Sequence, residues 1–350
     1  MLKNATFLSF YFADIQLFSN SETLVMKLLF NFLTISFLMF SCEKEYQYPN
    51  STEPDLIYFI SRTSVSYLNR TASIIKLEIR SEDLKSVRQV EIRSIKPTSP
   101  SKGALVLSTG GFGTNFYGIG FETNTTINFA VNIGLETFEI KWLGEQGWGT
   151  GVAGAGYPNA VRAYGSIVRY LKKNEMTNTK NIIAHGGSGG SFQIAYNLTR
   201  FNLEKDVKHA ILSAGPPTSN LQQAIFGDRN SKSTWPDGIG GFRITDYIHG
   251  WDNQGNYCQN RTQNPPDFVL GILDKSSLLS ATIAPDLSYE TNVIFVNTKD
   301  VTNADGQGLL YFEAIKSKKE WHYLPSETSH DVGGINAGAN KIRDILQTLI

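Results

Sequence analysis

Apolar and polar residues alternate along the first part of the chain that carries a clear pattern. Ile75, Leu77 and Ile79 are separated by Lys76 and Glu78, and Val90 and Ile92 by Glu91. Period two sends successive side chains to opposite faces, so these segments predict half-buried, antiparallel strands. A Pro/Ser loop over residues 97–102 ends that pattern. The apolar runs then become short and continuous. Residues 104–108 form a continuous apolar strand, and residues 137–143, 182–185, 207–213, 293–296 and 321–324 read as further strands. Helical spacing falls between them. Pro158 opens a helix to about Lys173 with Val161, Tyr164, Val168 and Leu171 on one face, residues 192–198 read as a second helix, and residues 337–349 close the chain. Strand and helix in alternation predict an α/β fold, a mostly parallel sheet with helices on both faces. Residues 216–290 break the rhythm. They are rich in Pro, Asn, Asp and aromatics, and about 75 residues is too long for a plain loop, so they predict an insertion packed over one end of the sheet. No repeat of 20–50 residues is visible.

Composition narrows the function. With 41% hydrophobic and 18% charged residues the 350-residue chain supports a sizeable core rather than disorder. Lys+Arg and Asp+Glu number 32 each, so the basic excess that a nucleic-acid partner demands is absent. Cys42 and Cys258 cannot build a disulfide framework, and neither sits in a zinc-ligand spacing.

The N-terminus reads as an address rather than as part of the fold. Lys27 precedes an apolar run over 28–40 that ends in Ser41-Cys42; it is shorter than the ~20 residues of a membrane span. Met26 therefore reads as the initiator, residues 1–25 as an upstream extension and residues 26–41 as a signal peptide. Leu38-Met39-Phe40-Ser41-Cys42 resembles the lipobox of bacterial lipoproteins, although Met39 and Phe40 are bulky for it. That resemblance implies acylation of Cys42, residues 42–54 as a tether, and an exported protein held at the cell envelope by a lipid anchor. Ordinary secretion with an incidental cysteine is the alternative.

The sharpest local signal is Gly186-Gly187-Ser188-Gly189-Gly190, a G-x-S-x-G between a short apolar strand and a helical segment. Such a turn holds its central residue at a strained dihedral, lifts the hydroxyl above the strand ends and needs glycine on either side, where a side chain would strike backbone. The following helix N-terminus favours negative charge developing there.

On this motif and its setting, residues 55–350 resemble the α/β-hydrolase fold, with opening antiparallel strands, alternating strands and helices, and an insertion where that family carries its lid. The resemblance implies a nucleophile, acid and histidine in that chain order. Ser188 is the nucleophile. Two acids follow the strand 293–296: Asp300 in Asn297-Thr298-Lys299-Asp300, and Asp305 five residues on. Asn297 stands where the family usually has glycine. His330, in Thr328-Ser329-His330-Asp331, lies 30 residues after Asp300 in the loop before the closing helix. Gly189 and a residue of Gly110-Gly111-Phe112-Gly113, either Gly111 or Phe112, are the implied oxyanion donors. His322 and His185 read as packing and buried residues; His209 and His249 carry no motif.

Gly149-Thr150-Gly151-Val152-Ala153-Gly154 matches G-x-G-x-x-G in letters only. It neither follows a strand directly nor opens a helix, so with Trp148 and Tyr157 it reads as a loop at the rim of the site. No P-loop, HExxH or EF-hand pattern occurs, and neither a metal nor a cofactor is expected. The aromatics of the insertion (Phe226, Trp235, Phe242, Tyr247, Trp251, Tyr257, Phe268) form either its own small core or an apolar substrate pocket. The expected activity is hydrolysis of a small-molecule, lipid or sugar ester. Peptidase or acyltransferase chemistry would use the same residues, and a non-catalytic surface binding module on the same fold is the rival from another class.

Overall fold

The computed structural model describes residues 55–350. The upstream extension, the signal peptide, Cys42 and the tether all lie outside the described residues. Nine strands form one sheet: β1 (Leu56–Tyr67), β2 (Arg70–Ser81), β3 (Ser86–Ile95), β4 (Gly103–Ser108), β5 (Leu135–Trp142), β6 (Ile182–Gly187), β7 (His209–Ser213), β8 (Asn292–Thr298) and β9 (Lys319–Leu324). Their spatial order is β1-β2-β3-β5-β4-β6-β7-β8-β9. The pairs from β1 to β5 run antiparallel, and those from β5 through β9 run parallel.

The helices are α1 (Phe121–Asn132), α2 (Gly156–Val161), α3 (Ala163–Asn174), α4 (Gly189–Arg200), α5 (Leu221–Phe226), α6 (Gly240–His249), α7 (Asp267–Ser276), α8 (Ala304–Ala314) and α9 (Asn336–Thr348). Alternate residues of the central strands enter two separate cores, as a sheet covered on both faces requires. Ala104, Val106, Ala184, Leu212 and Phe295 point into one core with α2, α3 and α4. Leu105, Leu107, Ile183, Ile211 and Val296 point into the other with α1 and α9.

The predicted strands and closing helix are all present, with ends moved by a few residues. Outside the insertion, whose helices were not predicted individually, three elements were not predicted. β1 is an edge strand exposed over most of its length, so it has no buried face to alternate with. α1 (FETNTTINFAVN) is rich in threonine and asparagine. Its buried apolar side chains are Ile127, Ala130 and Val131, with Phe129 packing partly against them, too narrow a stripe to stand out. α8 takes up Asp305, the second candidate acid, in its first turn. The helix expected from Pro158 is two helices. Around Arg162 the bonds tighten to i→i+3, Arg162 N to Asn159 O and Gly165 N to Arg162 O. Arg162 itself turns to meet the carboxylates of Asp55 and Asp83, each at 2.6 Å.

Residues 214–291 carry α5, α6 and α7 between β7 and β8. They do not close a small core of their own. Trp235, Phe242, Ile248, Trp251, Val269 and Leu273 belong to the same core as α2 to α4. A chain of hydrogen bonds joins them to α2: Tyr157 N donates to Ser276 Oγ (3.1 Å), that hydroxyl donates to His249 Nε2 (2.9 Å), and His249 Nδ1 donates to Thr245 O (2.7 Å). Because a carbonyl only accepts, Nδ1 carries a hydrogen, and burial, which pushes the ring down, leaves Nε2 bare to accept from Ser276. No helix among the described residues is long and apolar enough to cross a membrane.

Strand order places the site. From β4 the chain passes through α1 to β5 on one side, then crosses back through α2 and α3 to β6 on the other. The order reverses at β4 and β6, and the crevice beyond their carboxyl ends is where open α/β sheets bind ligands.

Candidate active site

Ser188 stands on the turn leaving β6. Its φ of 49° and ψ of −109° lie in a region costing a non-glycine residue on the order of 1–3 kcal/mol. The turn is locked from both sides. Ser188 N donates to Ser213 O at 2.9 Å, extending the β6–β7 ladder, and Phe192 N donates to Ser188 O at 3.2 Å, opening α4. A Cβ on Gly186 would lie 2.4 Å from the backbone of Gly190, and one on Gly190 2.6 Å from Ser108 O. Glycine is therefore required at these two flanking positions, whereas Gly187 has open space around it.

Two loops bring the remaining groups to this turn. His330 Nε2 lies 2.7 Å from Ser188 Oγ, and its Nδ1 lies 2.5 Å from Asp300 Oδ2. Asp300 Oδ1 accepts from Thr302 N at 2.7 Å and from Thr302 Oγ1 at 2.9 Å. The Thr302 hydroxyl spends its proton on Asp300, so at 3.0 Å from His330 Nδ1 it acts only as a second acceptor. Nδ1 thus carries the hydrogen, and Nε2 is left to accept from the Ser188 hydroxyl. Burial pushes the Asp300 carboxyl up, but the His330 ring and the Thr302 donors outweigh burial and hold it below its ordinary value. The acid and histidine loops are knitted together: Thr298 Oγ1 donates to Ser329 O at 2.7 Å and Lys299 N to Glu327 O at 2.8 Å.

Of the two candidate acids, Asp300 meets the histidine and Asp305 does not. Asp305 sits half-buried in α8, where burial and then the Asp300 charge push its carboxyl up. Asn297 serves the scaffold, since its Oδ1 accepts the N–H of Gly215 at 2.9 Å, where the insertion begins.

The glycine turn after β4 faces Ser188. Gly113 N closes it on Gly110 O at 3.0 Å, and Gly111 has φ 56°. A Cβ on Gly189 would fall 2.1 Å from Gly111 O, so the two backbones meet with no room for a side chain. Gly111 and Gly189 line the cavity with Ser188; Phe112 does not, its ring lying 5.2 Å from that of Trp148. Trp148, expected at the rim, is fully buried beneath this turn. Its Nε1 donates to Gly111 O at 2.8 Å and its backbone N to Phe112 O at 3.1 Å. Arg88, also buried, donates to Trp148 O at 3.1 Å. The residue of the G-x-G-x-x-G-like loop that approaches the site is therefore a prop under it.

The cavity above Ser188 measures about 480 Å³. Of the seven aromatics of the insertion named from sequence, only Trp235 lines it. Tyr157 does too, with Phe192 of α4. His185 is buried, 2.8 Å from Ser213 Oγ, and burial pushes its ring down to about 4. His249 is likewise buried, with its ring down to about 4. His209 and His322 lie at strand positions away from the cavity lining.

No family model matches the sequence, and no curated protein matches it in sequence. Solved structures do. Acetyl xylan esterase 1 from Thermoanaerobacterium sp. JW/SL YS485 superposes with a TM-score of 0.59 at 14% identity, over 88% of this chain and 94% of that one. A puromycin hydrolase superposes with a TM-score of 0.52 at 9% identity, over 83% of this chain and 46% of the other. The chain has the α/β-hydrolase fold. In this α/β-hydrolase fold β1 lies at the sheet edge, ahead of the strands that position the serine. Sequence reasoning gave Thr302 no role at the site and put Trp148 at its rim rather than beneath it. Neither has a motif: one is a threonine two residues past the acid, and the other lies in a loop whose letters suggested a nucleotide.

Proposed function

We propose that this protein is a serine hydrolase cleaving carboxylic esters, with Ser188 as nucleophile, His330 as general base and acid, and Asp300 as the partner of the imidazole. The observation that carries this reading is the unbroken run of hydrogen bonds from Ser188 Oγ through His330 to Asp300. As the Ser188 oxygen attacks the carbonyl carbon, its proton passes to His330 Nε2. Asp300, kept ionised by the donors around it, stabilises the imidazolium through Nδ1–H. The first N–H groups of α4 have no partner within the helix. The Gly189 N–H, with that of Gly111 rather than Phe112, receives the oxyanion, each worth on the order of 3 kcal/mol. His330 then returns the proton to the leaving alkoxide, and a water activated by the same ring releases the acyl group.

We read residues 214–291 as the lid: Trp235, Ile239 and Ile244 from this segment line the cavity. We also read the protein as exported and anchored through an acylated Cys42, on the strength of the lipobox-like residues.

A fluorophosphonate probe tests the chemistry. Labelling of the folded protein that disappears in Ser188→Ala is the expected result. Folded protein that takes no label would overturn the hydrolase reading in favour of a binding module.

A further inference from the structure

The walls of the Ser188 cavity differ in chemistry, and the sheet divides them. On the face of α2 to α4 the wall is apolar: Tyr157, Phe192 and Trp235 belong to that core, and Ile239 and Ile244 pack against it. On the face of α1 and α9, Tyr117 and Val332 come from the other core, and the chain leading into α1, α1 itself and the loop before α9 add Asn115, Ile119, Thr123 and Asp331, so polar groups stand among the apolar ones on this side. Among the described residues lining the cavity, Asp331 is the one carboxylate; its Oδ1 accepts from Gly334 N at 3.1 Å. His330 is carried by this second wall, one residue before Asp331, and Gly333 lies against the Tyr117 hydroxyl.

The reaction converts this asymmetry into an orientation. In the tetrahedral intermediate the carbon holds four groups. Ser188 Oγ is the first, and the oxyanion, directed at Gly111 and Gly189, is the second. The leaving oxygen must lie at His330, because the proton taken from Ser188 returns to it as the carbon–oxygen bond breaks. The alcohol portion therefore falls against the Thr123–Asp331 wall. The acyl chain takes the remaining direction, toward the apolar wall.

We propose that the cavity takes esters of an apolar, ring-sized acyl group with a hydroxyl-bearing, non-anionic alcohol, the acyl group held between Trp235 and Ile244 and the alcohol beside Asp331. Hydroxyl donors satisfy the carboxylate, and an anionic alcohol portion is repelled by it. This inference rests on the acyl-enzyme reading above.

The test is a matrix of four esters, the ethyl and monoglyceryl esters of acetic and phenylacetic acid, followed by pH-stat titration with the full chain. The wild type is expected to favour glyceryl phenylacetate. Ile244→Trp should lower the phenylacetyl-to-acetyl ratio of kcat/KM by about tenfold or more and leave the glyceryl-to-ethyl ratio within about twofold. Asp331→Ser, which keeps a short oxygen for Gly334 N, should lower the glyceryl-to-ethyl ratio about fivefold through KM and spare the acyl ratio. Exchanged effects, or a wild type that ranks the four esters equally, would overturn the assignment while the fluorophosphonate label on Ser188 persists. No turnover of any ester together with no label would remove the acyl-enzyme reading itself, and this orientation with it.

Discussion

Replacing Trp148 by phenylalanine removes one N–H from beneath the glycine turn and leaves most of the ring in place. The turn depends on that donor because Gly111, at φ 56°, gains no rigidity from a side chain. It is held instead by its closure on Gly110, by Trp148 Nε1 and by Trp148 N. Losing a neutral hydrogen bond and leaving its acceptor unmet costs about 1–3 kcal/mol. The reaction feels the change through the Gly111 N–H. An oxyanion donor contributes about 2.7–4 kcal/mol, or 10²–10³ in kcat, and a donor displaced rather than deleted forfeits part of this. The expected result for Trp148→Phe is a kcat lowered about 10- to 100-fold, with KM within about threefold, since the bond matters most once charge develops. The control is Leu346→Ala on the far face of the sheet. That side chain is fully buried, and its truncation costs about 2–5 kcal/mol of stability without touching the turn. Ester turnover is measured at a temperature where circular dichroism shows both variants folded. Full kcat in Trp148→Phe, or an equal loss in Leu346→Ala, would refute the reasoning.

Other perturbations follow from the same geometry. Asp300→Asn keeps the shape but presents an amide to His330 Nδ1, so kcat should fall by about 10³–10⁴ with little change in thermal midpoint; an active variant would return the acid role to Asp305. His185 and His249 are depressed by burial to about 4, whereas unfolded histidine titrates near 6.5. The unfolded chain thus binds protons in that window that the folded chain refuses, and stability should fall as pH drops from 6.5 to 4, by up to about 1.4 kcal/mol per pH unit for each ring. Urea midpoints at pH 7 and pH 5 measure this, and coincident midpoints would contradict it. Metabolic labelling with radioactive palmitate in a bacterial host should mark the wild type and not Cys42→Ser, and an unlabelled wild type would end the anchor reading.

The parts of the fold that were legible in the sequence share a physical reason. Strands such as 104–108 and 293–296 are buried on both faces, so their apolar runs have no charged interruption. Ser188 was legible because its backbone conformation demands a local sequence: Gly186 and Gly190 leave space that any Cβ would fill. Asp300 and His330 were placed by order and spacing alone, which left Asp305 open until the loop path brought Thr302 and His330 to the same carboxylate. Elements such as β1 and α1 escaped because their stability comes from pairing and from a few contacts rather than from a patterned face. Thr302 and Trp148 escaped because each works through hydrogen bonds that no motif records, Thr302 beside Asp300 and His330, and Trp148 on a turn far away in the chain at Gly111 and Phe112.

That last class shows why the site needs so much scaffold. The hydroxyl, the imidazole and the oxyanion turn are each carried on a different loop, and the pairing of β4 with β6 ends before the loops themselves begin. What fixes them is a set of contacts across chain distance: Arg88 of β3 on the Trp148 carbonyl, Trp148 on Gly111, Asn297 on Gly215, Thr298 on Ser329. Each is a buried or partly buried polar contact whose loss strands a partner, and a stranded buried partner costs more than a made bond contributes. Such contacts therefore favour one arrangement of the loops over near alternatives more strongly than apolar packing would. Apolar packing tolerates shifts of the size that separates a 2.7 Å hydrogen bond from a broken one. In this protein the hydrophobic faces of the sheet set the fold, and the long-range polar props determine whether Ser188, His330 and Gly111 meet closely enough to act together.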